Sequence, residues 1–140
     1  MPVLNFWSLR AVNIIDIHSA REYSQIIVDH LPFTDKEKIE WWLKNQQEIM
    51  KKYNIPHSYK DGSYNITIWN IGDGYLNSDE YYRKDLLCFS DMKDKRNCIE
   101  KKLLLTIEKS ANNKIYFSIG YSGNIYTFEN NKIILYRQLE

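Results

Sequence analysis

The stretch Leu31–Pro56, LPFTDKEKIEWWLKNQQEIMKKYNIP, decides the fold class of this 140-residue chain, because it carries its only strong helical pattern. Thr34 is placed as an N-cap. Glu37, three residues later, completes a capping box that satisfies free backbone N–H groups of the first turn. Asn54 and Pro56 mark the other end, since Asn tolerates the left-handed conformation and a residue before Pro leaves the helical region. These signals predict one long helix.

Apolar side chains recur three, four and seven positions apart along this helix and share one face: Ile39, Trp42, Leu43, Ile49, Met50 and Tyr53. Such a stripe predicts a helix that packs on the rest of the core. Trp41 lies about 100° away around the helix axis, at the border of the stripe. It either covers the rim of the core or anchors a partner, since Trp is enriched in binding hot spots.

Short segments rich in β-branched and aromatic residues, separated by turn signals, occupy most of the remaining sequence. They predict strands at 11–18, 23–30, 64–71, 85–90, 99–108, 114–119, 125–128 and 133–136. The last four are joined by short turns, as in an antiparallel meander. We therefore expect a single α+β domain, residues 1–140, in which one long amphipathic helix packs on one face of an antiparallel β-sheet meander.

Charge is nearly balanced over the whole chain, with a net charge of +1, but it is uneven along the sequence. The segment from position 73 to position 94 contains six acidic and three basic residues. A run of this kind is usually a solvated loop, and the alternative is a patch for a basic partner. The candidate partner-binding residues are this patch with its aromatic neighbours and the helix tryptophan: Trp41, Asp73, Tyr75, Asp79, Glu80, Tyr81, Tyr82, Asp85, Asp91 and Asp94.

Nucleic-acid binding is not expected. The strand residues Tyr116, Phe117 and Tyr126 could stack on bases, as in sheet-based RNA binders. No basic groove accompanies them, however, and phosphate neutralisation supplies most non-specific affinity. We expect these side chains to fill the core of the sheet.

No nucleotide-binding, metalloprotease or hydrolase motif is present in the sequence. His18 and His30 could face each other across the first hairpin, with Asp16 and Asp29 close enough to suggest a metal site or a His–Asp pair. Strand histidines beside acids are more often hydrogen-bonding residues, and a hydrolytic site needs further groups. We therefore expect no enzyme activity, cofactor, metal or small-molecule substrate.

The remaining signals concern the compartment. Cys88 and Cys98 fit no common zinc pattern, and the residues alone leave open whether they are thiols or a disulfide. The apolar segment Val3–Leu9 is too short to span a bilayer and lacks the features of a signal peptide. As written, the chain is expected in the cytoplasm.

Five blocks of sequence together carry a family resemblance: LPFTDKEKIEWWLKN, YNIP, YNITIWNIGDGY, DLLCFSDMK and NCIEK. Through them the chain resembles the enterobacterial putative membrane protein domain of unknown function, from about Leu9 to about Phe128. The resemblance implies a short membrane helix followed by a soluble domain. As written, this chain is expected to lack that helix, with Val3–Leu9 as its last part. The resemblance also implies that Cys88 and Cys98 pair in a periplasmic member.

The same resemblance supplies the functional hypotheses. Genes of this kind resemble small open reading frames beside contact-dependent growth inhibition and Rhs toxin loci. The leading hypothesis is therefore an immunity protein that binds a cognate toxin domain and blocks its active site, with the acidic stretch and the exposed part of the helix as the interface. The alternative is a soluble sensor or accessory domain of a single-pass inner-membrane protein, on its periplasmic face. Membrane contact is expected only if an N-terminal helix is missing from this chain.

Overall fold

The computed structural model describes residues 11–82 and 84–137. These residues form helix α1, Asp35–Tyr53, and two β-sheets, which confirms the α+β class. The strands, in chain order, are β1 Ile14–Ala20, β2 Tyr23–Val28, β3 Tyr64–Asn70, β4 Leu76–Asn77, β5 Leu86–Cys88, β6 Arg96–Glu100, β7 Leu103–Lys109, β8 Ile115–Ile119, β9 Ile125–Glu129 and β10 Lys132–Arg137.

Both predicted ends of α1 are confirmed. The Thr34 hydroxyl accepts a hydrogen bond from the backbone N–H of Glu37 at 3.1 Å, and the Glu37 carboxylate accepts one from the backbone N–H of Thr34 at 3.4 Å. At the other end, Asn54 adopts the left-handed conformation and its N–H donates to the carbonyl of Met50. The two caps fix where the helix begins and ends independently of its packing.

The seven-stranded sheet has the order β1-β2-β3-β7-β8-β9-β10. Strands β7 to β10 form the antiparallel meander expected from the sequence. The expectation of a wholly antiparallel sheet is wrong, because β2 and β3 pair in parallel, with Ile26 opposite Ile68. Parallel neighbours need a crossover connection, and α1 supplies it between these two strands.

The segment 99–108, predicted as one strand, is two strands in different sheets. Strand β6 ends at Glu100 and pairs with β4 and β5 in a three-stranded sheet of order β4-β6-β5. Strand β7 begins at Leu103 in the large sheet. The exposed pair Lys101–Lys102 separates them, and the carbonyl of Lys102 already accepts from the backbone N–H of Asn70 at 2.9 Å.

Helix α1 covers one face of the large sheet. The indole of Trp42 is 1% exposed and lies in an apolar cluster with buried side chains from four strands. The fully buried members from the strands are Ile26, Val28, Ile66, Ile68, Leu105, Ile107 and Phe117. Of the predicted stripe, Ile39, Trp42 and Ile49 are buried, whereas Leu43, Met50 and Tyr53 are half-buried at its border.

The three-stranded sheet packs on the opposite face of the large sheet. Ile27, between two residues that face α1, points the other way and contacts Phe89 and Ile99. The molecule is therefore layered, with α1 on one side of β2 and β3 and the small sheet on the other. Side chains of β2 are buried on both faces, since Ile26, Ile27 and Val28 are each 0% exposed.

The predicted core placement of the meander aromatics is correct for two of the three. Phe117 is fully buried on the α1 side, and Tyr126 packs against the same cluster while its hydroxyl donates to Asp35 at 2.8 Å. Tyr116 alternates to the opposite face, where its ring lies 5.3 Å from that of Tyr136. It is half-buried rather than part of the core.

Candidate functional site: the three-stranded sheet and its loops

A buried histidine fastens the three-stranded sheet to β1. The ring of His18 stacks on Phe89, with centroids 3.8 Å apart and planes 8° from parallel. Its Nδ1 lies 2.7 Å from the Asp91 carboxylate, and its Nε2 lies 3.0 Å from the Tyr75 hydroxyl. That hydroxyl donates to Asp16 at 3.1 Å. Phe89, Asp91 and Tyr75 belong to the small-sheet segment, whereas Asp16 and His18 belong to β1.

The contacts of this network attach the small-sheet segment to β1 and occupy the groups that could act on a substrate. His18 is 5% exposed, and each of its ring nitrogens already has an oxygen partner. Burial, followed by the nearby Asp16 carboxylate, raises the pKa of the Tyr75 phenol well above its usual range. Tyr75 therefore stays a neutral hydroxyl that links His18 to Asp16. A cavity of about 200 Å³ borders the pair of His18 and Asp91.

Most of the predicted acidic residues lie on exposed loops of the small sheet. Tyr81 is 36% exposed and Tyr82 is 74% exposed in the same loops. Backbone hydrogen bonds order the turn after β4, where the N–H of Asp79 donates to the Asn77 side chain at 2.9 Å and that of Glu80 to the Asn77 carbonyl at 3.1 Å. We call this set of exposed side chains the acidic surface: Asp73, Asp79, Glu80, Tyr81, Tyr82, Asp85 and Asp94.

Three of the predicted residues have other surroundings. Asp91 is exposed on one side but is committed to His18, and Tyr75 is half-buried in the same network. Asp85 belongs to the acidic surface but forms an ion pair with Lys101 at 2.9 Å. Because both partners are exposed, this pair contributes little to stability.

Trp41 lies apart from the acidic surface. It is half-buried against the α1-side cluster, near Val12 and Ile14, and lines a cavity of about 150 Å³. The small sheet packs on the opposite face of the large sheet. The half-buried indole therefore contacts the rim of the core, as one of the two alternatives for Trp41 expects, and it is not part of the acidic surface.

Cys88 and Cys98 form a disulfide, with sulfur atoms 2.09 Å apart. They occupy directly opposite positions on β5 and β6. The bond therefore holds together β5 and β6, the two strands whose loops carry the acidic surface. Such a crosslink lowers the entropy of the unfolded chain more than that of the folded chain.

The predicted facing of His18 and His30 across the hairpin is wrong, because His18 lies opposite Gln25. The suggested His–Asp pairs are present: the Nδ1 atom of His30 lies 2.9 Å from the Asp29 carboxylate, and the Nε2 atom of His18 lies 3.5 Å from that of Asp16. Alternation along β1 does place Asp16 and His18 on one face. No local pattern, however, indicates that Asp91, 73 residues later, completes the network.

Within residues 11–82 and 84–137, no group of three or more His, Cys, Asp or Glu side chains is arranged to hold a metal ion. In that part of the chain no helix is both long and apolar enough to cross a membrane. The segment Val3–Leu9, expected to be the last part of a membrane helix, lies outside the described residues.

Residues 2–137 match the family of enterobacterial putative membrane proteins, DUF943. The chain belongs to this family. The match confirms the resemblance carried by the five sequence blocks and covers nearly the whole chain. No curated protein and no solved structure matches it. The family description names no activity, so the proposals below rest on the residues described above.

We predict that Asp91→Ala lowers the free energy of unfolding by about 1–2 kcal/mol, because it leaves the buried Nδ1 of His18 without its partner. This loss is in the lower part of the range for a buried group left without its hydrogen-bond partner, because the Asp91 side chain is 54% exposed. Urea denaturation measures it. Asp73→Ala, on the same segment but fully on the surface, is the control and should stay within about 0.5 kcal/mol of the parent. Equal losses in the two variants would contradict the attachment role.

Proposed function

We propose that this chain is an immunity protein that binds and neutralises a cognate antibacterial toxin domain, of the contact-dependent growth inhibition or Rhs type, by covering the toxin's active site. The observation that supports the proposal is the acidic surface: exposed carboxylates and two exposed tyrosines on loops held in place by the Cys88–Cys98 disulfide and by the His18 network. A preorganised surface loses less conformational freedom when it binds.

Charge favours a basic partner. Asp73, Asp79, Glu80 and Asp94 form no ion pair with another described residue, so their charge is available to a partner. A toxin that cleaves nucleic acid needs a basic active site to hold its anionic substrate. A carboxylate-rich surface that covers such a site gains fast and specific association through electrostatic complementarity.

The tyrosines supply the apolar contact that charges alone do not. Tyr82 is 74% exposed, and Tyr81 lies beside it with the ammonium of Lys84 5.3 Å from its ring centroid. A phenol buries a large rigid area and keeps one polar atom for a hydrogen bond. Exposed tyrosines surrounded by carboxylates are therefore suited to be the anchors of a protein interface.

The test measures binding of this chain to toxin domains encoded by neighbouring genes, by calorimetry and stopped-flow kinetics. The double variant Asp79→Asn/Glu80→Gln should lower the association rate roughly tenfold at low salt, because steering by charge is lost. The control Glu40→Gln/Glu48→Gln removes the same charge from exposed positions of α1. Absence of any partner that binds better than micromolar, or an equal loss in both double variants, would refute the proposal.

A second candidate, a soluble periplasmic sensor or accessory domain of a single-pass inner-membrane protein, is favoured by two other observations. Disulfides form and persist in oxidising compartments such as the periplasm, and Cys88 and Cys98 are bonded. The family is described as one of membrane proteins. This candidate favours the periplasmic location over the cytoplasmic one and leaves the binding role of the acidic surface open.

The oxidation state in cells tests the second candidate. Cells of the source bacterium are lysed in acid, and free thiols are alkylated before and after reduction. The periplasmic location predicts that neither Cys88 nor Cys98 is alkylated until the reductant is added, because the disulfide persists there. Alkylation of both cysteines without reductant would exclude this location and leave the cytoplasmic form of the first proposal.

A further inference from the structure

A cleft unrelated to the acidic surface opens at the edge of the large sheet where β2 and β3 begin and β7 ends. Its volume is about 320 Å³, within the range of small-molecule sites. Three tyrosines and four polar or charged side chains contribute to its lining: Tyr23, Tyr59, Tyr64, Glu22, Asn65, Glu108 and Lys109.

Strand register places one wall of the cleft. Tyr23 on β2 is the partner of Asn65 on β3, and Asn65 is the partner of Glu108 on β7. Paired residues on adjacent strands point to the same face, so the phenol, the amide and the carboxylate form a row across three strands. Neighbouring strands lie about 4.8 Å apart, so the row extends over roughly 10 Å.

A tight turn places the second aromatic wall. The N–H of Tyr59 donates to the carbonyl of Ser63 at 2.8 Å, and the N–H of Gly62 donates back to the carbonyl of Tyr59 at 2.8 Å. Gly62 has a φ of +87°, a conformation that disfavours a side chain. Tyr59 and Tyr23 are 55% and 53% exposed, so both rings are accessible from the cleft.

The lining of the cleft combines one ammonium, that of Lys109, with two carboxylates, those of Glu22 and Glu108. The ammonium lies 5.8 Å from the ring centroid of Tyr64 and donates to the Gly62 carbonyl at 3.4 Å. Glu108 precedes Lys109 on β7 and points to the other face of the sheet, together with Asn65. The carboxylates only accept hydrogen bonds and the ammonium only donates them, whereas the Asn65 amide does both. Hydroxyl groups, which do both, satisfy such a mixed lining.

We propose that this cleft binds a neutral oligosaccharide. The apolar C–H faces of sugar rings would lie on the phenols of Tyr23 and Tyr59, which are amphipathic surfaces of matching size. The sugar hydroxyls would donate to Glu108, accept from Lys109 and bond the Asn65 amide. The site is separate from the surface assigned to a protein partner, so its occupancy does not depend on that proposal.

The test is a titration of the ¹⁵N-labelled protein, followed by NMR, with cellotetraose, chitotetraose and maltotetraose in turn. At least one sugar should give saturable shifts confined to amides around the cleft, with a dissociation constant in the millimolar range or below. Tyr59→Ala should weaken that binding about tenfold, and Tyr59→Phe, which keeps the ring, should retain most of it. Thermal unfolding of each variant confirms that it is folded.

The control is Tyr121→Ala, which removes a tyrosine that is 69% exposed and does not line the cleft. It should bind the sugar as the parent does. The proposal is overturned if none of the three sugars gives saturable shifts, or if Tyr59→Ala and Tyr121→Ala bind equally well. It is also overturned if putrescine saturates the cleft at concentrations where the sugars do not, because the site would then select a cation.

Discussion

The parallel pairing of β2 with β3 is the constraint on which the rest of the structure depends. Both strands are interior strands of the sheet. Strand β2 buries residues on each face, because Ile26 and Val28 pack under α1 while Ile27 packs under the small sheet. Burial of a whole isoleucine side chain stabilises by roughly 1.5–3 kcal/mol. A strand buried on both faces also has only one acceptable register, because a slip of one residue exchanges its faces.

The acidic surface depends on that pair through the small sheet. The small sheet has strands of only two, three and five residues and needs packing on the large sheet. Two sets of contacts attach it there: Ile27 packs on Phe89 and Ile99, and His18 bonds Asp91 and Tyr75. The disulfide joins β5 to β6 within the small sheet. The loops that carry the proposed interface are therefore attached to the large sheet through the small one. The cleft proposed for a saccharide lies where β2 and β3 begin and β7 ends, and its Tyr23 also lines the cavity beside His18.

The sequence predicts features that depend on neighbouring residues and misses those that depend on residues far apart in the chain. The capping box of α1 and the turn at Asn130 and Asn131 depend only on neighbouring residues, and those residues predict them. Asn130 and Asn131 both have positive φ. The parallel pairing and the division of 99–108 between two sheets depend on contacts with distant segments, so periodicity alone could not reveal them. The acidic residues were found from charge, whereas the His18–Asp91 bond and the tyrosine cleft exist only after folding brings the strands together.

Native-state hydrogen exchange tests the central role of this strand pair most directly. The amides of β2 and β3 that are hydrogen-bonded within the sheet should exchange most slowly of all, at a rate set by global unfolding. Both α1 and the small sheet must detach before these hydrogen bonds can open. Amides of the small sheet should exchange faster, through an opening that leaves β2 and β3 protected. Faster exchange in β2 and β3 than in β8 and β9 would contradict the account, since the meander would then be the more stable part of the molecule.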